Sequence, residues 1–217
     1  MTYYTTIAFS FSIFIAAIAG IIKSRKVDPS YYPFILCTIA ASVNEIVSVI
    51  LIKQIHNSSI TNNIYVFIEA MLIIWQFKKW EVFDNREYLY RFLLISIAAL
   101  WLWEYRSISK LETIGSFFRI TASFVIVICS VTIISRFLIE HNKSLITNPV
   151  FMICCGFIFF FTYKIFLEIF WVYTNDADLS FSTYVYEIMS YVNLISNLIY
   201  GIAIICIPTK PRFITLY

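Results

Sequence analysis

The sequence is poor in charge, histidine and glycine, and each shortage excludes something. Only 13% of its 217 residues are charged, against roughly 25% in soluble domains. No stretch of ordinary water-soluble composition is left for a separate catalytic domain or a nucleic-acid module. The two histidines, His56 and His141, lie in polar links. The five cysteines (Cys37, Cys129, Cys154, Cys155 and Cys206) sit inside apolar runs without a C-x-x-C pair, so they read as small packing residues and not as zinc ligands. No G-x-S-x-G or H-E-x-x-H motif occurs. Neither a metal nor another cofactor is expected. The five prolines fall in links or at span ends, and only four glycines occur. Carriers with interrupted helices place Gly or Pro at the break, so the helices here are expected to run unbroken.

What is abundant is apolar surface. Hydrophobic residues make up 60% of the chain and mean hydropathy is +0.81. A helix needs about 20 predominantly apolar residues to cross a hydrocarbon layer about 30 Å thick. Seven such runs follow one another, at about 5–22, 33–52, 62–77, 88–103, 113–138, 149–173 and 181–207. With no water available to the backbone, spans of this kind are α-helices. The expected fold is all-α, a single transmembrane domain of seven helices over residues 1–217. The first run lacks the basic start of a signal peptide and is followed by Lys23, Arg25 and Lys26, so it reads as a retained span.

Lysine and arginine in the links set the orientation. One side carries Lys23, Arg25, Lys26, Lys78, Lys79, Arg86, Arg91, Arg136, Lys143, Lys210 and Arg212, and the other only Lys53, Arg106 and Lys110. This bias puts the N-terminus outside and the C-terminus in the cytoplasm. It implies a multi-pass protein of the inner (cell) membrane whose main partner is the lipid bilayer. The net charge of +3 comes from these links and gives no ground for a nucleic-acid partner.

Ionisable groups within spans cost about 2.5–3.5 kcal/mol each on insertion scales, which makes them candidates for function. Six qualify: Glu45, Glu69, Arg119, Lys164, Glu168 and Glu187. Their places along alternating spans put all six between the midplane and the outer face, so a polar cavity is expected there. Helical spacing adds companions. Asn62, Tyr65 and Glu69 share one stripe; Thr38, Ala41, Glu45 and Ser48 another, with Asn44 beside it; Tyr186, Ser190, Asn193 and Asn197 a third, with Glu187 at its edge. Lys164 and Glu168 stand four apart and can pair on one face. The candidate ligand-binding set is Asn44, Glu45, Tyr65, Glu69, Arg119, Lys164, Glu168, Glu187 and Asn193. Plainer roles stand beside these: Lys164–Glu168 as a structural pair, Arg119 and Glu187 reaching to the interface, Asn193 and Asn197 as interhelical hydrogen bonds. Four carboxylates face two cations, and the surplus could carry protons, bind a cationic ligand or donate hydrogen bonds.

Seven spans divide naturally into three, a linker and three, as in parallel repeats, and the span-three run Ile64 to Met71 resembles the span-seven run Thr183 to Met189. The layout is similar to that of small sugar and vitamin-precursor transporters in topology alone. A retinal protein is excluded, because span seven has no lysine. The run Asn62-Asn63-Ile64-Tyr65-Val66-Phe67-Ile68-Glu69, the segment Trp75-Gln76-Phe77-Lys78-Lys79-Trp80 and the pair Asn44-Glu45 together resemble a group of small seven-span bacterial membrane proteins. That resemblance implies a topology and no activity. Three functions remain open: a carrier for a small polar or cationic solute, with Glu45 and Glu69 at its site; a receptor-like module that signals to a cytoplasmic or membrane partner through the basic link Lys78 to Arg91; and a membrane-embedded enzyme acting on lipid with paired carboxylates.

Overall fold

In a computed structural model, residues 3–83, 86–108, 113, 115–140, 147–173 and 179–209 are described. The helices are α1 (Tyr3–Ser10), α2 (Ile13–Lys23), α3 (Tyr32–Ile55), α4 (Ser59–Lys79), α5 (Glu87–Ser107), α6 (Ser116–Glu140), α7 (Pro149–Tyr173) and α8 (Leu179–Cys206). A 3-10 turn at Pro29–Tyr31 leads into α3. No β-strand is present among the described residues beyond an isolated bridge between Val27 and Thr209. Of the charges used above for orientation, Lys110, Lys143, Lys210 and Arg212 lie outside the described residues, as does the side chain of Thr183 at the start of the span-seven motif.

Among the described residues six segments are long and apolar enough to cross a membrane, α1 and α2 counting together as one, and α5 is not among them. Of the seven spans expected, six meet this measure of length and composition. Residues Glu87, Arg91, Glu104 and Arg106 charge both ends of α5 and shorten its apolar stretch. The architecture is still that of a multi-pass membrane protein.

The chain alternates in direction, and polar bonds fasten helix ends that meet. Lys23 Nζ, at the end of α2, donates to the carbonyls of Ile205 at 2.5 Å and Ile207 at 2.7 Å at the end of α8, where a cation meets the negative pole of a helix. Gln76, near the end of α4, accepts from Phe34 N at 2.8 Å and donates to Ser30 O at 2.5 Å. It thereby satisfies the N-terminal turn of α3, whose first amides have no partner within the helix.

Packing follows a ring. Helix α2 touches α3, α3 touches α4, α4 touches α6, α6 touches α7, α7 touches α8, and α8 returns to α2. Helix α5 lies outside this ring against α4 and α6, where Ile97 joins Val66, Ala70, Ile74, Phe118 and Ala122 in a small separate core. The main core fills one end of the ring with aromatic side chains. Phe34, Phe157 and Tyr200 meet edge to face at 5.5–5.9 Å between centroids.

The first span is not unbroken. At Phe11 and Ser12 the regular helical pattern lapses, and Ser12 N, Phe14 N and Ile15 N bond three residues back instead of four. Ser12 Oγ donates to Phe9 O at 2.5 Å and accepts from Asn197 Nδ2 at 2.9 Å. A hydroxyl bonded back to its own helix bends it, so serine does here what proline or glycine does elsewhere.

Helix α7 approaches α8 closely at Gly156. A Cβ at this position would come within 2.5 Å of Tyr200 Cε1, and Tyr200 is held from behind by Phe34 and Phe157. Gly156→Ala is therefore expected to destabilise the bundle by about 1–3 kcal/mol, read as a lower melting temperature in detergent. Gly201→Ala, whose Cβ would meet Ile15 at an ordinary 3.5 Å, is expected to melt like the parent.

Candidate functional site

Ring packing leaves space at the centre. A cavity of about 100 Å³ is walled by α1, α2, α3, α4, α7 and α8, large enough for several water molecules or a solute of a few heavy atoms. Its wall is graded along the bundle. Phe34, Ile73, Phe157, Phe161 and Tyr200 form an apolar floor, while Ser10, Glu45, Tyr65, Glu69, Lys164 and Asn193 bring polar groups toward the other end. The tightened turn of the first span borders the same space through Ser10 and Ile13.

The best-held charges are Glu69 on α4 and Lys164 on α7. Lys164 Nζ lies 2.9 Å from Glu69 Oε2, and both side chains are buried. Tyr65 donates its phenolic O–H to the other carboxylate oxygen at 2.8 Å, from one turn earlier in α4. The Lys164 ammonium also lies 5.2 Å from the ring centre of Phe161 and 5.5 Å from that of Phe160, within the range of attraction to aromatic faces. This pair reaches across the ring interior, since α4 and α7 are not neighbours in it.

Glu45, on α3, lines the same cavity and differs from Glu69 in one respect. Its carboxylate has no hydrogen bond or ion pair among the described residues. Thr38, about two turns away on the same wall, turns its hydroxyl to its own helix, donating to Ile35 O at 2.8 Å.

A second polar cluster lies one turn along α7. Glu168 accepts from Ser116 Oγ at 2.8 Å and pairs with Arg119 at 3.3 Å. Arg119 also donates to Asn63 Oδ1 at 3.0 Å. The expected Lys164–Glu168 pair is thus not made. Each residue bonds to a different helix, because in the packed ring α4 and α6 present better-placed partners than the adjacent turn of α7.

The sequence candidates therefore divide. Glu45, Tyr65, Glu69, Lys164 and Asn193 come together at the cavity. Arg119 and Glu168 belong to the second cluster. Asn44 lies outside the cavity wall and donates to Asn62 Oδ1 at 2.9 Å, joined by Ser48 at 3.3 Å, which stitches α3 to α4. Glu187 is half-buried on α8, outside the cavity wall. Asn197 lines the cavity and bonds to Ser12 and Asn193.

Two buried polar residues were missed by reading the sequence. Gln76, near the end of the third apolar run, was not among the candidates, yet it is fully buried. Glu104 was placed just beyond a span ending at 103, yet it is fully buried and accepts from Phe117 N at 3.0 Å and Phe118 N at 2.6 Å at the start of α6. A longer fourth helix, which the pattern Trp101, Trp103, Tyr105 permits, would have exposed Glu104 as a candidate.

No group of three or more His, Cys, Asp or Glu is placed to hold a metal ion among the described residues. The chain matches no protein-family model, no curated protein and no solved structure.

Proposed function

We propose that this chain binds a small cationic solute in the central cavity and carries it across the membrane. One observation carries the reading: a carboxylate with no partner among the described residues, Glu45, lines a cavity whose other acidic group, Glu69, is already matched by Lys164. With all three ionised, the wall holds one negative charge in excess, and a monovalent cation balances it. An uncompensated charge away from water is costly, so the site gains from a cationic occupant. The tightened turn at Ser12 adds support for carriage. Carriers place helix irregularities beside their sites, and this one borders the cavity.

In the orientation set by the basic links, the polar end of the cavity faces outward and the aromatic floor faces the cytoplasm. Helix α5 then serves as the linker of a three-one-three arrangement, in keeping with its place outside the ring. The receptor-like reading draws less support. In its proposed docking link, Lys78 and Arg91 are engaged by Glu87 at 2.8 and 3.5 Å, and Arg136 donates to Glu81 O at 2.9 Å.

Reconstituted vesicles test the proposal. Uptake of labelled methylammonium, driven by an inward gradient, is expected with the parent protein and is expected to fall at least tenfold with Glu45→Gln. The melting temperature of that variant should stay close to the parent's, because no partner of Glu45 is lost. Saturable binding without flux would replace carriage by sensing. Neither binding nor flux for any small cation would end the reading.

A further inference from the structure

The cavity already contains one cation, and the way it is held indicates the chemistry of a second. Lys164 brings an alkylammonium group into the cavity, where Glu69 receives it at 2.9 Å and the rings of Phe160 and Phe161 stand 5.5 and 5.2 Å from the nitrogen. Carboxylate and aromatic faces together recognise an organic ammonium, because the ring quadrupole attracts a diffuse positive charge and the ring surface packs against its methyl or methylene groups. Glu45 repeats the acidic half of this arrangement without a resident cation, in a cavity whose wall is otherwise mostly aromatic and aliphatic.

We propose that the solute is a small organic ammonium ion, a short alkylamine or its methylated form, with its charged nitrogen at Glu45 and its carbon atoms against the aromatic wall. This inference rests on the cation reading above and narrows it. Inorganic cations ask for something else. Hard ions such as calcium take six to eight oxygen ligands, often from several carboxylates. The cavity has one uncommitted carboxylate, and among the described residues no cluster of acidic, histidine or cysteine side chains suits a metal. A volume of about 100 Å³ limits the ligand to a few heavy atoms. Lys164 takes the part of a tethered competitor: it occupies Glu69 and leaves room for one added ammonium and not two.

Binding measured by calorimetry on the full chain in lipid nanodiscs tests this, with ammonium, methylammonium, n-propylammonium, tetramethylammonium, sodium and potassium as probes. Affinity is expected to rise about fourfold per added methylene until the cavity is full, with alkylammonium ions at least tenfold tighter than sodium or potassium. Glu45→Gln is expected to weaken alkylammonium binding roughly 10–100-fold. Phe160→Leu is expected to weaken it roughly 3–30-fold, and Phe160→Tyr, which keeps the ring face, to leave it nearly unchanged. Phe160 is half-buried; should its leucine variant fail to fold, the selectivity series on the parent and the tyrosine variant decide the matter. Sodium or potassium binding as tightly as the amines, or proton release in place of amine binding, would overturn the organic ammonium and leave a cation site standing. Absence of binding by every probe would remove both this inference and the function on which it rests.

Discussion

Glu69→Ala is expected to destabilise the protein by about 3–5 kcal/mol, the usual cost of removing one partner from a buried ion pair. The loss is large because Lys164 would remain where Glu69 left it, inside the ring and only 7% exposed. Its next nearest acidic group along α7, Glu168, has both carboxylate oxygens engaged by Ser116 and Arg119. Lys164→Ala alone should also destabilise, leaving a carboxylate held only by the Tyr65 hydroxyl. The double variant Glu69→Leu with Lys164→Met removes both charges while roughly preserving volume, and apolar replacements of buried pairs are often neutral or stabilising. It should therefore melt closer to the parent than either single variant. Melting in detergent of this variant and of Glu69→Leu and Lys164→Met singly, assembled as a double-mutant cycle, reads the coupling directly. Additive losses would mean that the two side chains do not meet. The paired variant removes one charge of each sign and leaves the excess charge of Glu45 in place, so solute uptake is expected to persist.

Glu104→Ala is expected to cost about 2–4 kcal/mol, because a buried amide (Phe118) and a partly buried one (Phe117) lose their acceptor and each unsatisfied buried group costs roughly 1–3 kcal/mol. Glu104 comes from α5 and receives Phe117 N and Phe118 N with its two carboxylate oxygens. The first amides of a helix have no partner of their own, and the positive pole there favours an anion. Glu104 thus does for α6 what a capping side chain ordinarily does from within, and it ties the peripheral helix to the ring. Glu104→Gln, which keeps one acceptor, should fall between alanine and the parent. Hydrogen exchange is the local readout: the Phe117 and Phe118 amides should exchange faster in the alanine variant than those in the middle of α6. Unchanged exchange there would show that these bonds contribute nothing.

Much of this fold can be read from the residues. The apolar runs gave the helices and their order, because hydrocarbon length and backbone bonding leave few alternatives. Even the irregular member is foreshadowed: α5 carries four charges, Glu87, Arg91, Glu104 and Arg106, toward its two ends. The break at Ser12 was not legible, since a serine in an apolar run bends a helix only when its hydroxyl finds the carbonyl behind it and a neighbour such as Asn197 holds it there. The candidate site was half legible. Stripe spacing put Tyr65 beneath Glu69 on α4 and Thr38 on the same face as Glu45, because one helix fixes those relations. The partners of Lys164 and Glu168 depend on how α4, α6 and α7 are arranged, which spacing along α7 cannot contain. Asn44 shows the same limit: adjacent to Glu45 in sequence, it lies about 100° around the helix and serves the α3–α4 contact.

The central claim is that acidic and basic side chains from separate helices surround one space that an aqueous cation can reach. It is tested most directly in a variant whose five native cysteines are replaced and which carries Ala41→Cys on the cavity wall or, separately, Val43→Cys on the exposed apolar face of the same helix. A small ammonium-bearing thiol reagent added to intact vesicles is expected to modify the first at least tenfold faster than the second, with Glu45→Gln slowing only the first. Equal rates at the two positions, indifferent to Glu45, would mean that no such space exists.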